Sequence, residues 1–248
     1  MTPADIVETA SRCLSEIRQR SPRVHCLTNT VVQKFMADGL SALGAHPSMT
    51  SSIDEVASFV ARTDIMVVNL GTLDPARRES SRVAVAEARR LGRRWVLDPV
   101  HCNLSDLRLA FARELIEAGP AVVRGNHAEM AAISALPDSI VRVETGARDT
   151  IDLGGATIVV TNGHPLMAQV TGTGCLAGGV LAAFVAVEPD AMKAAAAAMT
   201  AIGVAAELAA PFSRGPGTFA PALLDALAAL GADALQTHAR IDISHAQG

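Results

Sequence analysis

Residues 170–175 run Val-Thr-Gly-Thr-Gly-Cys and lead directly into a long stretch of small apolar residues. Two glycines leave backbone amides bare enough to close on an anion. A helix beginning at about Cys175 points the positive end of its dipole into the same space. A thiol at such a helix start ionises more readily than usual. These parts suit holding a phosphoryl group while a base removes a proton beside it.

A second set of polar residues falls at the ends of expected strands: Asn29, Asn69, Asp98, Arg124, Asn126, Glu129 and Thr145. In open α/β sheets ligands collect at the carboxyl ends of strands. Each residue also has a plain structural reading. Asn29 and Asn69 suit helix caps, Asp98 before Pro99 suits a turn, Glu129 suits a helix dipole, and Arg124 suits an ion pair. Present together in a chain that also carries Gly172-Thr173-Gly174, they favour one site. Phosphoryl transfer needs Mg²⁺ on carboxylates, a cation on the phosphates, backbone donors and a positioned nucleophile. Asp98 and Glu129 can serve the metal through waters, and Arg124 can reach a phosphate. The 172–175 amides can stabilise developing charge. Cys175 stands where a general base for a substrate hydroxyl is needed.

The elements that position these residues alternate along the chain. Thr2-Pro3 reads as a helix cap with proline in the first turn, followed by Ile6, Val7, Ala10, Leu14 and Ile17 at helical spacing. Strands are expected at 24–27, 65–70, 95–100, 121–124, 140–143 and 157–160. Helices are expected over 32–43, 75–91, 175–187, 190–210 and 221–230, the last begun by Pro221. Alternating strands and helices predict a mostly parallel sheet covered on both faces. No repeat or linker interrupts the 248 residues, so one α/β domain over 1–248 is expected, with a polar tail beyond about 235 that is loosely held.

Composition narrows the classes. Half of the residues are hydrophobic but only 3% are aromatic, so the core must be aliphatic. The net charge of −4 argues against a nucleic-acid binder. Cys13, Cys26, Cys102 and Cys175 form no CxxC pair and no disulfide or zinc pattern. Cys13 and Cys26 read as small hydrophobes. The N-terminal residues show no secretory signal, and the apolar run 176–187 is too short to span a bilayer, so a cytoplasmic protein is expected.

The segments CLTNTVVQKFMADGLSALGAHPSM (26–49), VVNLGTL (67–73), LDPV (97–100), VRGNHAEM (123–130), NGHPLMAQVTGTGC (162–175) and GVAAELAA with GPGTF (203–219) are specific in combination. With them the chain resembles the hydroxyethylthiazole kinase family, and the likeness spans most of its length. The resemblance implies a ribokinase-like three-layer sandwich. It implies ATP-dependent phosphorylation of the hydroxyl of 4-methyl-5-(2-hydroxyethyl)thiazole in thiamine salvage, with Mg²⁺. Met49 and Gly172, with Asn29 beside them, match the thiazole side. Arg124, Thr145, Asn126 and Gly174 match the ATP side, and Asp98 and Glu129 the metal. Cys175 falls at the family's catalytic cysteine. The family also implies a homotrimer with pockets between subunits.

Two features depart from the family pattern. His101-Cys102-Asn103 replaces a glycine-rich turn after Asp-Pro-Val, and the stretch between Glu129 and Thr145 is shorter by about a helix. Two other readings therefore stay open. One is another ribokinase-like activity, a hydroxymethylpyrimidine-type kinase or an ATP-dependent hydrate dehydratase. The other is a non-catalytic ligand-binding paralogue with an impaired nucleotide site.

Overall fold

The computed structural model describes residues 1–245. In chain order its elements are α1 (Pro3–Arg20), β1 (Arg23–Leu27), α2 (Gln33–Leu43), β2 (His46–Ser48), α3 (Val56–Val60), β3 (Ile65–Asn69), α4 (Pro75–Arg90) and β4 (Trp95–Asp98). Then come α5 (Asp106–Glu117), β5 (Val122–Asn126), α6 (His127–Ile133), β6 (Val141–Thr145), β7 (Asp149–Leu153) and β8 (Ala156–Val160). The last are α7 (Thr173–Val187), α8 (Ala191–Ala209), α9 (Pro216–Ala229), α10 (Ala232–His238) and β9 (Ile241–His245).

The strands form one sheet in the order β2-β1-β3-β4-β5-β6-β7-β8-β9. Pairings from β2 through β6 are parallel, and β7, β8 and β9 add on antiparallel. Side chains alternate between two apolar layers. Val24, Cys26, Ile65, Val67 and Val96 face α1, α2, α7, α8 and α9. Met66, Val68, Trp95, Leu97 and Val123 face α3, α4, α5 and α6. That alternation, with both faces covered, is why strands buried throughout read as continuous apolar runs. The result is the expected three-layer sandwich with a mostly parallel centre.

Alanine content decides how the first layer packs. In α8, Ala194–Ala198 and Ala205–Ala206 are fully buried, and the helix is crowded by α1, α7 and α9. Small side chains let those helices approach closely. By length and composition α8 could cross a membrane, but it is mostly buried inside the protein, as a core helix is.

Several expectations are corrected. The tail beyond 235 is not loose over the described residues: α10 packs on α1, and β9 pairs with β8 from Ala156 to Val160. Pro216, not Pro221, begins α9, and Pro221 lies inside its first turns. As the sixth residue of the helix it leaves the Gly217 carbonyl without its i→i−4 donor. The helix after the glycine loop begins at Thr173, two residues before Cys175, and the Thr173 hydroxyl bonds back to the Met167 carbonyl at 2.7 Å. The chain also makes β2, α3, α5, α6 and β7, which the sequence reading left unassigned. The N-terminal cap at Thr2 with Pro3 in the first turn stands as read, and the structure adds Asp5 to it as a reciprocal capping box.

Candidate active site

The sheet order reverses at β1, with β2 on one side and β3 on the other, so a crevice opens where the chain leaves β1 and β3. Asn29 follows β1 and Asn69 ends β3. Between them sits the Cys175 sulfur, brought in by the first turn of α7. Asn29 Nδ2 donates to Sγ at 3.4 Å and Asn69 Nδ2 at 3.3 Å.

Gly172 makes this placement possible. Its φ of +100° is the left-handed region that favours glycine, and a Cβ there would lie 2.8 Å from Val32 Cγ1. Gly174 lies beside Arg124: a Cβ on it would stand 3.6 Å from both terminal nitrogens, an ordinary contact. The amides of Gly174 and Cys175 stand in the first helical turn, where no intrahelical acceptor exists.

Asp98, at the end of β4, is 1% exposed. Its Oδ2 accepts from Asn69 Nδ2 at 3.0 Å and Arg124 Nη1 at 3.4 Å. Its Oδ1 is buried with no partner, and so is Arg124 Nε. Burial, against the pull of Arg124 and aided by nearby Glu129, pushes the Asp98 carboxyl up to about 6. Cys175 is pushed up to about 11, first by burial and then by the Asp98 charge, while Arg124, Asn69 and Asn29 pull the other way. The expected easy ionisation at the helix start is therefore overturned: desolvation outweighs the donors around the sulfur.

Asn126 and Glu129 form a capping box at the start of α6. Glu129 Oε2 accepts the Asn126 N–H and Oε1 the His101 N–H, each at 2.8 Å. The bulkier turn that replaces the glycine-rich one is thus fastened to Glu129. His101 itself takes a left-handed φ of 59°, and Cys102 is buried with its thiol toward the Glu129 carbonyl. Among the described residues no cluster of three or more His, Cys, Asp or Glu side chains could cage a metal. Orphaned Asp98 Oδ1 beside Glu129 suits a magnesium ion held mostly by water and phosphate oxygens, the usual manner of that ion.

These residues open onto a cleft of about 870 Å³. Asp98, Arg124, Asn126, Glu129, Thr145, Gly172, Gly174 and Cys175, all read from the sequence, line it. The far end is walled by Thr145–Ala147 and Asp149 on one side and by Thr161–Ala168, Met199, Ile202 and Gly203 on the other. The shortened stretch after α6 leaves this wall standing, because β6 still pairs in parallel with β5 from Val122 to Asn126. Asn29 and Met49 do not line the cleft. Asn29 sits behind the sulfur, and Met49 packs against the apolar core just past the edge strand β2.

Sequence reasoning names Asn69 among the strand-end residues that favour a site but gives it no role there, and it misses two further features. Asp149 carries a raised carboxyl pKa, chiefly from burial, and accepts the Gly146 N–H at 3.0 Å. The loop 161–163 is held by the C-terminal segment and by α8: Asn162 Oδ1 accepts the Arg240 N–H at 2.7 Å, and Glu207 Oε1 of α8 accepts the Gly163 N–H at 2.7 Å. The fastening of Gly163 to Glu207 spans 44 residues of sequence, so no local pattern announces it.

Comparisons with known proteins bear on the family and the fold. A model of the hydroxyethylthiazole kinase family matches residues 14–140 and 133–233, two segments that meet at the short stretch after α6. A protein named probable hydroxyethylthiazole kinase from Agrobacterium fabrum is 54% identical over 239 residues, covering 96% of each chain. The hydroxyethylthiazole kinase of Granulibacter bethesdensis is 39% identical and covers 97% of each. The solved hydroxyethylthiazole kinase of Pyrococcus horikoshii superposes with a TM-score of 0.92 at 33% identity, over 96% of this chain and all of that one. A ribokinase-like superfamily protein from Enterococcus faecalis, 16% identical with a TM-score of 0.60 over 87% of this chain and 89% of its own, shares the fold.

Proposed function

The chain belongs to the hydroxyethylthiazole kinase family, and we propose that it transfers the γ-phosphoryl group of ATP to the hydroxyl of 4-methyl-5-(2-hydroxyethyl)thiazole, in thiamine salvage. The observation that carries this reading is the convergence of the Gly172–Cys175 turn, Arg124 and Asp98 on one cleft.

ATP lies along the wall from Thr145 to Asn126, with its phosphates directed at Arg124 and the first turn of α7. The Gly174 and Cys175 amides then face the transferring group, where fixed dipoles stabilise charge without reorganising. Asp98 and Glu129 would hold Mg²⁺ through water, and the ion would neutralise phosphate charge. The thiazole sits beside Gly172, with Asn29 and Met49 on its side. Met49 lies near the edge of the sheet, where a neighbouring subunit of a homotrimer completes the pocket. Cys175 accepts the hydroxyl proton in its thiolate form. With the thiol raised to about 11, its share is smaller than that of positioning and charge stabilisation. A single cytoplasmic kinase domain fits this reading.

Calorimetry tests it. The protein should bind both Mg-ATP and the thiazole alcohol; binding of the small molecule alone would favour a non-catalytic paralogue.

A further inference from the structure

The orientation of the Asn69 amide is fixed by its own contacts. Oδ1 accepts the Gly71 N–H at 3.0 Å, so the other end must be the donor. That Nδ2 reaches Asp98 Oδ2 at 3.0 Å and Cys175 Sγ at 3.3 Å. Asn29 is oriented the same way: Oδ1 accepts the Val32 N–H at 3.2 Å, and Nδ2 reaches the same sulfur at 3.4 Å. Both asparagines are buried, at 6% and 9% exposure. A Cβ at Gly71 would sit 2.6 Å from Asn29 Cβ and 3.0 Å from Asn69 Oδ1, so the bare backbone there lets the two side chains converge.

A turn cap needs only the oxygen of Asn69. Its nitrogen does something a cap does not require: it joins the sulfur to the buried carboxylate. Asp98 does not depend on it for charge balance, since Arg124 already pairs with the same oxygen.

We propose that Asn69 is a positioning residue for the transfer, holding the Cys175 sulfur at the mouth of the glycine turn and tying it to Asp98, with Asn29 as the second holder. The assignment rests on the kinase reading above. It acts through Cys175, so its loss should matter most while that sulfur is present.

Two variants test it. Asn69→Leu removes every polar contact. Asn69→Asp keeps the shape and the acceptor for the Gly71 N–H but replaces the amide donor with a carboxyl group facing Asp98. Each is measured alone and combined with Cys175→Ala, with melting curves alongside; if the leucine variant folds poorly, the aspartate variant carries the test. Both single variants should lower kcat roughly 10- to 100-fold, with KM for ATP and for the thiazole alcohol held within about threefold. Without the sulfur, the same changes should cost several-fold less than they do in its presence, the remainder being the lost contact with Asp98. Equal losses in both backgrounds overturn the assignment.

Alkylation of Cys175 by iodoacetamide, followed by peptide mass, reads the same coupling without turnover. Asn69→Asp should slow it at least about threefold at a fixed, mildly alkaline pH; an unchanged rate overturns the proposal. If the wild-type protein leaves the thiazole alcohol unphosphorylated, the kinase reading fails, and the alkylation comparison alone decides the role of Asn69.

Discussion

Arg124 Nη1 lies 3.4 Å from Asp98 Oδ2 at the floor of the cleft, while the second Asp98 oxygen is buried without a partner. A half-satisfied carboxylate is costly to keep in a fold. On the function proposed above, that oxygen is the one left free for a metal ion held through water.

Removing the cation should expose that cost. Arg124→Met is expected to lower stability by about 2–4 kcal/mol, because a buried charge is left unpaired. Adding Asp98→Asn in the same background should recover most of the loss while activity stays absent. Thermal melts of the single and double variants check this, and failure of the double variant to recover would show that the arginine stabilises by packing instead.

Cys175→Ala should lower kcat about 100-fold with little change in KM for ATP. Cys175→Asp should stay active, since a carboxylate can take the same proton. Steady-state kinetics with both substrates decide it. Wild-type turnover by the alanine variant would remove the thiol from the mechanism, and a folded but dead aspartate variant would argue against a base at that position.

Gly172→Ala joins a strained φ of +100° to a Cβ only 2.8 Å from Val32. A loss of about 1–3 kcal/mol in stability is expected. The first turn of α7 must move as well, so kcat should fall more than the melting point alone implies. Normal turnover in a well-folded alanine variant would show that the turn tolerates displacement.

His25 should contribute to the loss of stability in acid. Its ring is fully buried, with Nδ1 2.8 Å from Ser48 Oγ, Nε2 unpartnered and Phe59 alongside. Burial lowers its pKa from 6.5 to about 4. The folded state therefore binds the proton less readily than the unfolded chain. The stability linked to neutral His25 is present in full above pH 6.5 and is lost as pH falls toward 4, to a total of about 3 kcal/mol. Denaturant melts between pH 7 and 4 should show this slope in the wild type and a shallower one in His25→Phe; parallel slopes would exclude the residue.

Much of this was legible in the chain. Apolar runs such as 65–69 and 95–98 mark strands buried on both faces, and the N-terminal cap at Thr2 with Pro3 in the first turn is written in two consecutive residues. Elements with weaker local signals escaped. In β7, Asp149, Asp152 and two partly exposed neighbours leave only Ile151 fully inside. β9 alternates apolar and polar residues in a tail that gains its order from pairing with β8. At the site, residue types at strand ends identified most of the cleft lining. Their mutual orientation did not follow, because Asn29 and Asn69 meet Cys175 across 146 and 106 residues of sequence. The sulfur's raised pKa was equally hidden: the helix start is local and visible, while the burial that outweighs it belongs to the folded packing.

The central claim is tested most directly by a coupled assay for ADP release with Mg-ATP and 4-methyl-5-(2-hydroxyethyl)thiazole, run beside hydroxymethylpyrimidine alcohols. ADP release that depends on the thiazole, exceeds that with the pyrimidines and collapses in Cys175→Ala is the predicted result. ADP release indifferent to the thiazole, or faster with a pyrimidine, would contradict it.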